Sequence, residues 1–249
     1  MTVYMKLIRN NRKHHGLCIH EGLNCLKETE IFNELHEGGP GGLYFCKEEN
    51  VGHWLHKDIG FIATVTLCHD SKIVTMDTNR AMKTDRYILG PFQPLKEWFT
   101  VERAMAAIKQ NGCALQYIPE TFKTVEICSA AVQMNYNALY YVPIALKTPD
   151  MCLAVVKLNG RMIDCVPIAG RTSTICLAAV QQCGIALVSV PNRTPDICLA
   201  AVQQAGMALG LIPSDVLTTD MCAIAYQQNN QSYAFIPSKI RKELFYDMD

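Results

Sequence analysis

The stretch Thr194-Pro195-Asp196-Ile197-Cys198-Leu199-Ala200-Ala201-Val202-Gln203-Gln204-Ala205-Gly206 decides the fold of more than half of the chain, because it is one of six copies of a single pattern. The copies begin at Thr100, Thr124, Thr148, Thr172, Thr194 and Thr218 and close at Pro119, Pro143, Pro167, Pro191, Pro213 and Pro237. Both series step by 24, 24, 24, 22 and 24 residues; the two missing residues fall between Pro191 and Thr194, so the length change sits in a loop. Within a copy the threonine hydroxyl suits a helix N-cap, proline follows it at Pro149 and Pro195, and the next residue is acidic in Glu102, Glu126, Asp150, Asp196 and Asp220. Apolar residues then recur on one face, as in Ile197, Cys198, Ala201 and Val202, until Gly112, Gly160, Gly184 or Gly206 ends the helix. A second, shorter helix is expected around pairs such as Leu187/Val190 and Leu209/Ile212.

One such hairpin cannot bury its own apolar face, so six copies are expected to stack as a right- or left-handed α-solenoid of six helical hairpins over residues 99–249. Small pairs such as Ala130/Ala131, Ala178/Ala179 and Ala200/Ala201 suit close helix packing. The amides Gln133, Gln181, Gln182, Gln203, Gln204, Gln227 and Gln228 read as solvated surface, with a partner-facing row as the alternative. Cys128, Cys152, Cys176, Cys198 and Cys222 mark one position of the repeat and read as small buried residues. The twelve cysteines show no Cys-x-x-Cys and no zinc-type Cys/His spacing, so no metal is expected, and thiols on this scale suit a reducing cytoplasm.

Twenty-three basic residues balance twenty-three acidic ones, and the balance holds within residues 1–99, 100–237 and 238–249, which argues against nucleic acid as a partner. With 49% hydrophobic residues the chain is not a disordered tail. No apolar stretch of the signal-peptide or membrane-spanning kind occurs, so no membrane association is expected.

Residues 1–98 carry no copy of the repeat, hold six of the seven histidines before residue 57, and include the step Gly38-Gly39-Pro40-Gly41-Gly42. They read as a second domain, with strands at Leu43–Cys46, Phe61–Leu67, Lys72–Met76 and Tyr87–Leu89, a short helix at Glu49–His56, and a linker at Gly90–Pro94.

The repeats resemble the short helical copies of the DUF4116 class of bacterial and giant-virus proteins over roughly residues 99–238. In the N-terminal domain, His15-Gly16, Gly42-Leu43-Tyr44-Phe45 and Asp85-Arg86-Tyr87-Ile88-Leu89 resemble, in that order, the signature of the PARP-like ADP-ribosyltransferases. That resemblance implies an α+β fold with a split antiparallel sheet, NAD as co-substrate, and a cofactor site of His15, Gly16, Gly42, Tyr44 and Phe45. It makes His15 the ligand of the adenosine-side ribose, Tyr44 the platform for nicotinamide, and Asp85 the carboxylate beside the nicotinamide-side ribose.

The chemistry is consistent with these residue types. Cleavage of the nicotinamide–ribose bond passes through an oxocarbenium-like state that a fixed carboxylate stabilises, and an aromatic face holds a pyridinium ring by cation–π attraction. Asp85 is one methylene shorter than the family's glutamate, so either the ribose sits closer to the strand or a second carboxylate helps, from Asp77, Glu48 or Glu49. An acidic pair and a short catalytic domain resemble the compact CteC-type group of bacterial effectors. That resemblance implies transfer of ADP-ribose to a threonine of ubiquitin in a host cytosol, with the solenoid as the ubiquitin-binding part. The residues also have plainer readings: His15 on a basic surface, Tyr44-Phe45 in a core, Asp85 in a turn. The alternative function is a non-catalytic interaction protein. Cys46, beside Tyr44, has no evident base and reads as core rather than nucleophile.

Overall fold

The computed structural model describes residues 2–14, 17–26, 32, 42–76 and 80–245. The fold is α+β: an antiparallel sheet followed by a helical region. The chain divides into two compact units, Met1–Tyr141 and Val142–Asp249.

In the first unit the strands are β1 (Tyr4–Arg9), β2 (Lys13–His14), β3 (Leu17–Cys18), β4 (Gly22–Cys25) and β5 (Leu43–Lys47). A 3-10 turn, Glu48–Asn50, leads into the one-turn helix α1 (Val51–Trp54), followed by β6 (Ile59–Leu67), β7 (Ile73–Thr75), β8 (Met82–Thr84), β9 (Arg86–Leu89), β10 (Gln93–Pro94) and α2 (Leu95–Trp98). The main sheet runs β4-β9-β6-β1-β5-β8-β7, with β10 also on β6; β2 and β3 form a separate ribbon.

Strand β1 pairs with β6 along its whole length but with β5 only at Tyr4↔Lys47 and Met5↔Cys46. Beyond that point β5 leaves β1, and the Tyr44 carbonyl accepts instead from the Lys6 ammonium at 2.6 Å. The chain from β8 to β9 passes through one residue, Asp85, yet β8 pairs with β5 and β7 while β9 pairs with β6 and β4. Asp85 is therefore the point where one extended segment crosses from one side of the sheet to the other. The core between these strands holds Ile8, Leu43, Phe45, Val65, Tyr87 and Leu89, with Phe45 edge-on to Tyr4 and Tyr87.

Two repeat copies complete the first unit, with helices α3 (Val101–Gln110) and α4 (Val125–Met134). The second unit holds α5 (Pro149–Leu158), α6 (Ser173–Gln182), α7 (Pro195–Gln204), α8 (Thr219–Gln228) and the closing helix α9 (Ser238–Leu244). The threonine side chain caps its helix in copies 1, 2, 3, 4 and 6; Thr194 makes no such bond. The expected second helix is a 3-10 helix of six residues, as at Gly184–Ser189 and Gly206–Leu211. The six residues make two full turns at three residues per turn, which the i→i+3 pattern closes within the short stretch from glycine to proline. Cys128, Cys152, Cys176, Cys198 and Cys222 are buried, and none of the twelve cysteines is in a disulfide.

The amide row is exposed, as expected, and three of its members also bond to the neighbouring copy. Gln182, Gln204 and Gln228 accept through Oε1 from the Gly160, Gly184 and Gly206 amides of the preceding copy, and their Nε2 groups donate to the carbonyls of Leu158, Gln182 and Gln204. Each staples the end of one helix to the next while remaining, like Gln181, Gln203 and Gln227, exposed. A second staple comes from the residue before the threonine. Lys123, Lys147, Arg171 and Arg193 donate to the carbonyls of Tyr141, Cys165, Ser189 and Leu211, cations at the carbonyl ends of the 3-10 helices. Among the described residues no helix is long and apolar enough to cross a membrane.

Candidate functional site

Three of the candidate residues, His15, Gly16 and Asp77, lie outside the described residues. Of the other five, Gly42 immediately precedes β5, Tyr44 and Phe45 lie on it, Glu48 is in the turn after it, and Asp85 is at the crossover.

On β5, Tyr44 pairs with Lys83 and Leu43 with Thr84, so Gly42 and Asp85 lie at the same end of the β5–β8 ladder. Gly42 is packed so closely on Lys83 that a Cβ would stand 2.9 Å from its Cδ, and Lys83 is fully buried. Tyr44 is half-buried, and its strand neighbours place a lysine on either side: Lys6 on its carbonyl and Lys83 across the ladder. Phe45 is 3% exposed and belongs to the core, which leaves it no surface for a cofactor.

The Asp85 side chain is 14% exposed. Its Oδ1 accepts from the Lys72 backbone amide at 2.9 Å, and its Oδ2 takes Nε and Nη2 of Arg86, both at 3.2 Å. Arg86 also reaches Asp70 at 2.9 Å. The carboxylate is thus oriented twice over, by a turn amide and by a guanidinium that it shares with a second acid.

Glu48 is elsewhere. It follows Lys47 at the opposite end of β5, so about 20 Å of strand separates it from the Gly42 end. Its Oε1 accepts from Arg103 at 2.9 and 2.8 Å, and Arg103 also donates to the Trp98 carbonyl and covers the Trp98 ring at 4.8 Å. Glu48 is held by the first repeat helix and is not brought beside Asp85. Glu49 faces Lys47 at 3.6 Å, with both side chains exposed.

Sequence reasoning passed over Lys6. It is 4% exposed, and burial pulls its ammonium down to about 7. Its neighbour Cys46 is pushed up to about 12, again by burial, with Lys6 opposing. A thiol held that high is not a nucleophile, in keeping with its core reading. A lysine in an alternating strand gives no sign in the sequence that its partner strand will part from it.

Residues 101–147 match the model of a family described as Domain of unknown function (DUF4116), a match that spans the first two repeat copies. The comparison with curated proteins gave no match, and the comparison with solved structures gave none.

Proposed function

We propose that the chain is an NAD-dependent protein mono-ADP-ribosyltransferase whose repeats form an α-solenoid that selects the target. The observation that carries this reading is the β5–β8 register: it brings the Gly42–Tyr44 segment and Asp85 to one end of a ladder, where β5 has parted from β1. Tyr44 is the stacking platform for nicotinamide, and Asp85, fixed by Arg86 and the Lys72 amide, faces the ribose as positive charge grows on it. The bond from ribose to nicotinamide breaks, nicotinamide leaves with the bonding electrons, and a target hydroxyl oxygen bonds to the ribose carbon while its proton passes to a carboxylate. The expected target is a threonine of ubiquitin in a host cytosol, by resemblance. Glu48 drops out of the acid pair, because Arg103 holds it at the far end of β5.

The second reading is a non-catalytic interaction protein. It has its own observation: a carboxylate that accepts a turn amide and an arginine fork is fully used as a structural brace. Incubation of the full chain with NAD and ubiquitin separates the two. The enzyme releases nicotinamide and raises the intact mass of ubiquitin by one ADP-ribose; release with ubiquitin unchanged and another lysate protein labelled discards the target alone. No release with ubiquitin or lysate leaves the second reading standing. The Asp85→Ala protein is expected to lose transfer by about a hundredfold to a thousandfold.

A further inference from the structure

The repeats differ from one another at the bond that joins them. Copies 3 and 4, 4 and 5, and 5 and 6 are each closed by a glutamine, Gln182, Gln204 or Gln228, whose Oε1 accepts the glycine amide of the copy before at 2.5–2.6 Å. At that position copy 2 has Met134, 54% exposed, whose thioether is a weak acceptor and has no donor. The Gly112 amide that a staple would meet belongs to a buried residue and has no acceptor among the described residues. The backbones come together all the same: a Cβ on Gly112 would lie 2.4 Å from the Ala131 carbonyl oxygen, as one on Gly184 would from that of Ala201. The joint between copies 1 and 2 has the close approach of the others without their bond.

The cationic staple is also longest here. Lys123 divides its ammonium between Glu120 at 2.7 Å and the Tyr141 carbonyl at 3.2 Å, whereas Lys147, Arg171 and Arg193 reach the carbonyls of Cys165, Ser189 and Leu211 at 2.7, 2.5 and 2.9 Å. An array of repeats is held by contacts between neighbours, so it opens first at the joint that has fewest. A buried amide without an acceptor already bears the cost of its desolvation, and parting Gly112 from α4 returns that amide to water. Opening at this joint therefore gains a hydrated amide, while a stapled joint must first break two bonds, as Gln204 makes with Gly184 and Gln182.

We propose that the joint between copies 1 and 2 is a release point built into the array, where the end of α3 and Gly112 part from α4 in a local opening that the stapled joints resist. The inference is independent of the transfer reading. Hydrogen exchange of the ¹⁵N-labelled full chain tests it, through amides that make the same bond in each copy: Ala114 to the Asn111 carbonyl, Ala186 to that of Cys183 and Ala208 to that of Ala205, all at 2.8 Å. Corrected for the intrinsic rate of each sequence, Ala114 is expected to exchange at least about tenfold faster than Ala186 and Ala208, a ratio equivalent to about 1.4 kcal/mol. Met134→Gln, which supplies the missing amide at an exposed position, should slow Ala114 by a similar factor and leave Ala186 as it was. Met134→Leu, which supplies none, should change neither. Equal protection of Ala114 and Ala186 in the parent overturns the release point, and so does a Met134→Gln protein whose Ala114 exchanges as before. Slowing by Met134→Leu as large as that by Met134→Gln assigns the weakness to packing and overturns the missing bond as its cause.

Discussion

Gly52 stands against Ala107 so closely that a Cβ on it would lie 2.6 Å from the alanine Cα and 2.7 Å from its carbonyl oxygen. The repeat glycines have the same relation to the next helix: Gly112 to Ala131, Gly160 to Ala179, Gly184 to Ala201 and Gly206 to Ala225, with a Cβ 2.2 to 2.4 Å from each carbonyl oxygen. The resemblance extends to Leu55, buried three residues after Gly52 as Leu115, Leu187 and Leu209 are buried three after their glycines. Helix α1 thus takes the position of a preceding copy against copy 1, and the sheet domain supplies the repeats with their first cap. In the sequence the glycine of copy 2 is replaced by Tyr136 and the alanine of copy 3 by Val155.

Gly52→Ala is therefore expected to destabilise the first unit by about 1–3 kcal/mol, since the obstacle is backbone and cannot rotate away. Gly184→Ala should do the same in the second unit. A thermal melt of each protein checks this, and Gly170→Ala is the control: its Cβ meets only a Val166 methyl at 3.6 Å. A Gly52→Ala midpoint equal to that of the parent would mean that α1 is not seated as a repeat.

Adjacent amides in one helix should behave differently. Gln204→Ala removes the acceptor of the Gly184 amide and the donor to Gln182, so it is expected to cost about 1–3 kcal/mol, chiefly for the buried N–H left unpaired. Gln203→Ala, at an exposed position, should change stability by less than about 0.5 kcal/mol. Chemical denaturation of the two proteins distinguishes them; equal effects would remove the stapling role.

Ser232 is fully buried with its hydroxyl unpartnered among the described residues, at the repeat position that Ala114, Ala138, Ala186 and Ala208 occupy. Replacing it with alanine deletes a desolvated polar atom and keeps the methyl-sized volume. Ser232→Ala should stabilise the chain by about 1 kcal/mol, seen as a higher denaturation midpoint. A lower midpoint would mean that the hydroxyl has a role the alanine copies lack.

The repeat was legible because each of its physical demands, the capping hydroxyl at Thr172, the close approach at Gly184 and the stop at Pro191, is restated copy after copy. The staples were missed because a glutamine or a lysine reads as surface until the neighbouring copy is laid beside it. Strands β1, β4 and β8 were missed for another reason. Their residues, such as Lys6, Asn24 and Lys83, are polar yet buried, so alternation fails as a signal. For the candidate site, the run Gly42–Phe45 and the turn at Asp85 were read from order alone. The engagement of Glu48 with Arg103 joins residues 55 apart in the chain and has no local signature.

Lys6 gives the last prediction. Its amine is held at about 7 in the folded chain against 10.5 ordinarily, so between those values the unfolded chain keeps a proton that the folded chain lacks. Stability therefore rises with pH across that window; below about pH 7 both states are protonated and the folded chain bears the whole cost of a buried ammonium. Cys46 acts in the opposite sense, since a thiol held at about 12 against 9.0 stays protonated when its unfolded counterpart ionises, and stability falls above pH 9. Cys128, raised by burial in the same unit, adds to that fall. The first unit should thus gain about 2–3 kcal/mol between pH 7 and 9, at about 1.4 kcal/mol per unit of pH, and lose stability beyond. Lys6→Met removes the titrating amine, and with it the Tyr44 carbonyl bond, a constant penalty at every pH. Its profile should be flat from pH 7 to 9 where the parent climbs. Denaturation midpoints of both proteins across pH 7–10 decide the matter: a climb that survives in Lys6→Met assigns the pH dependence to another group.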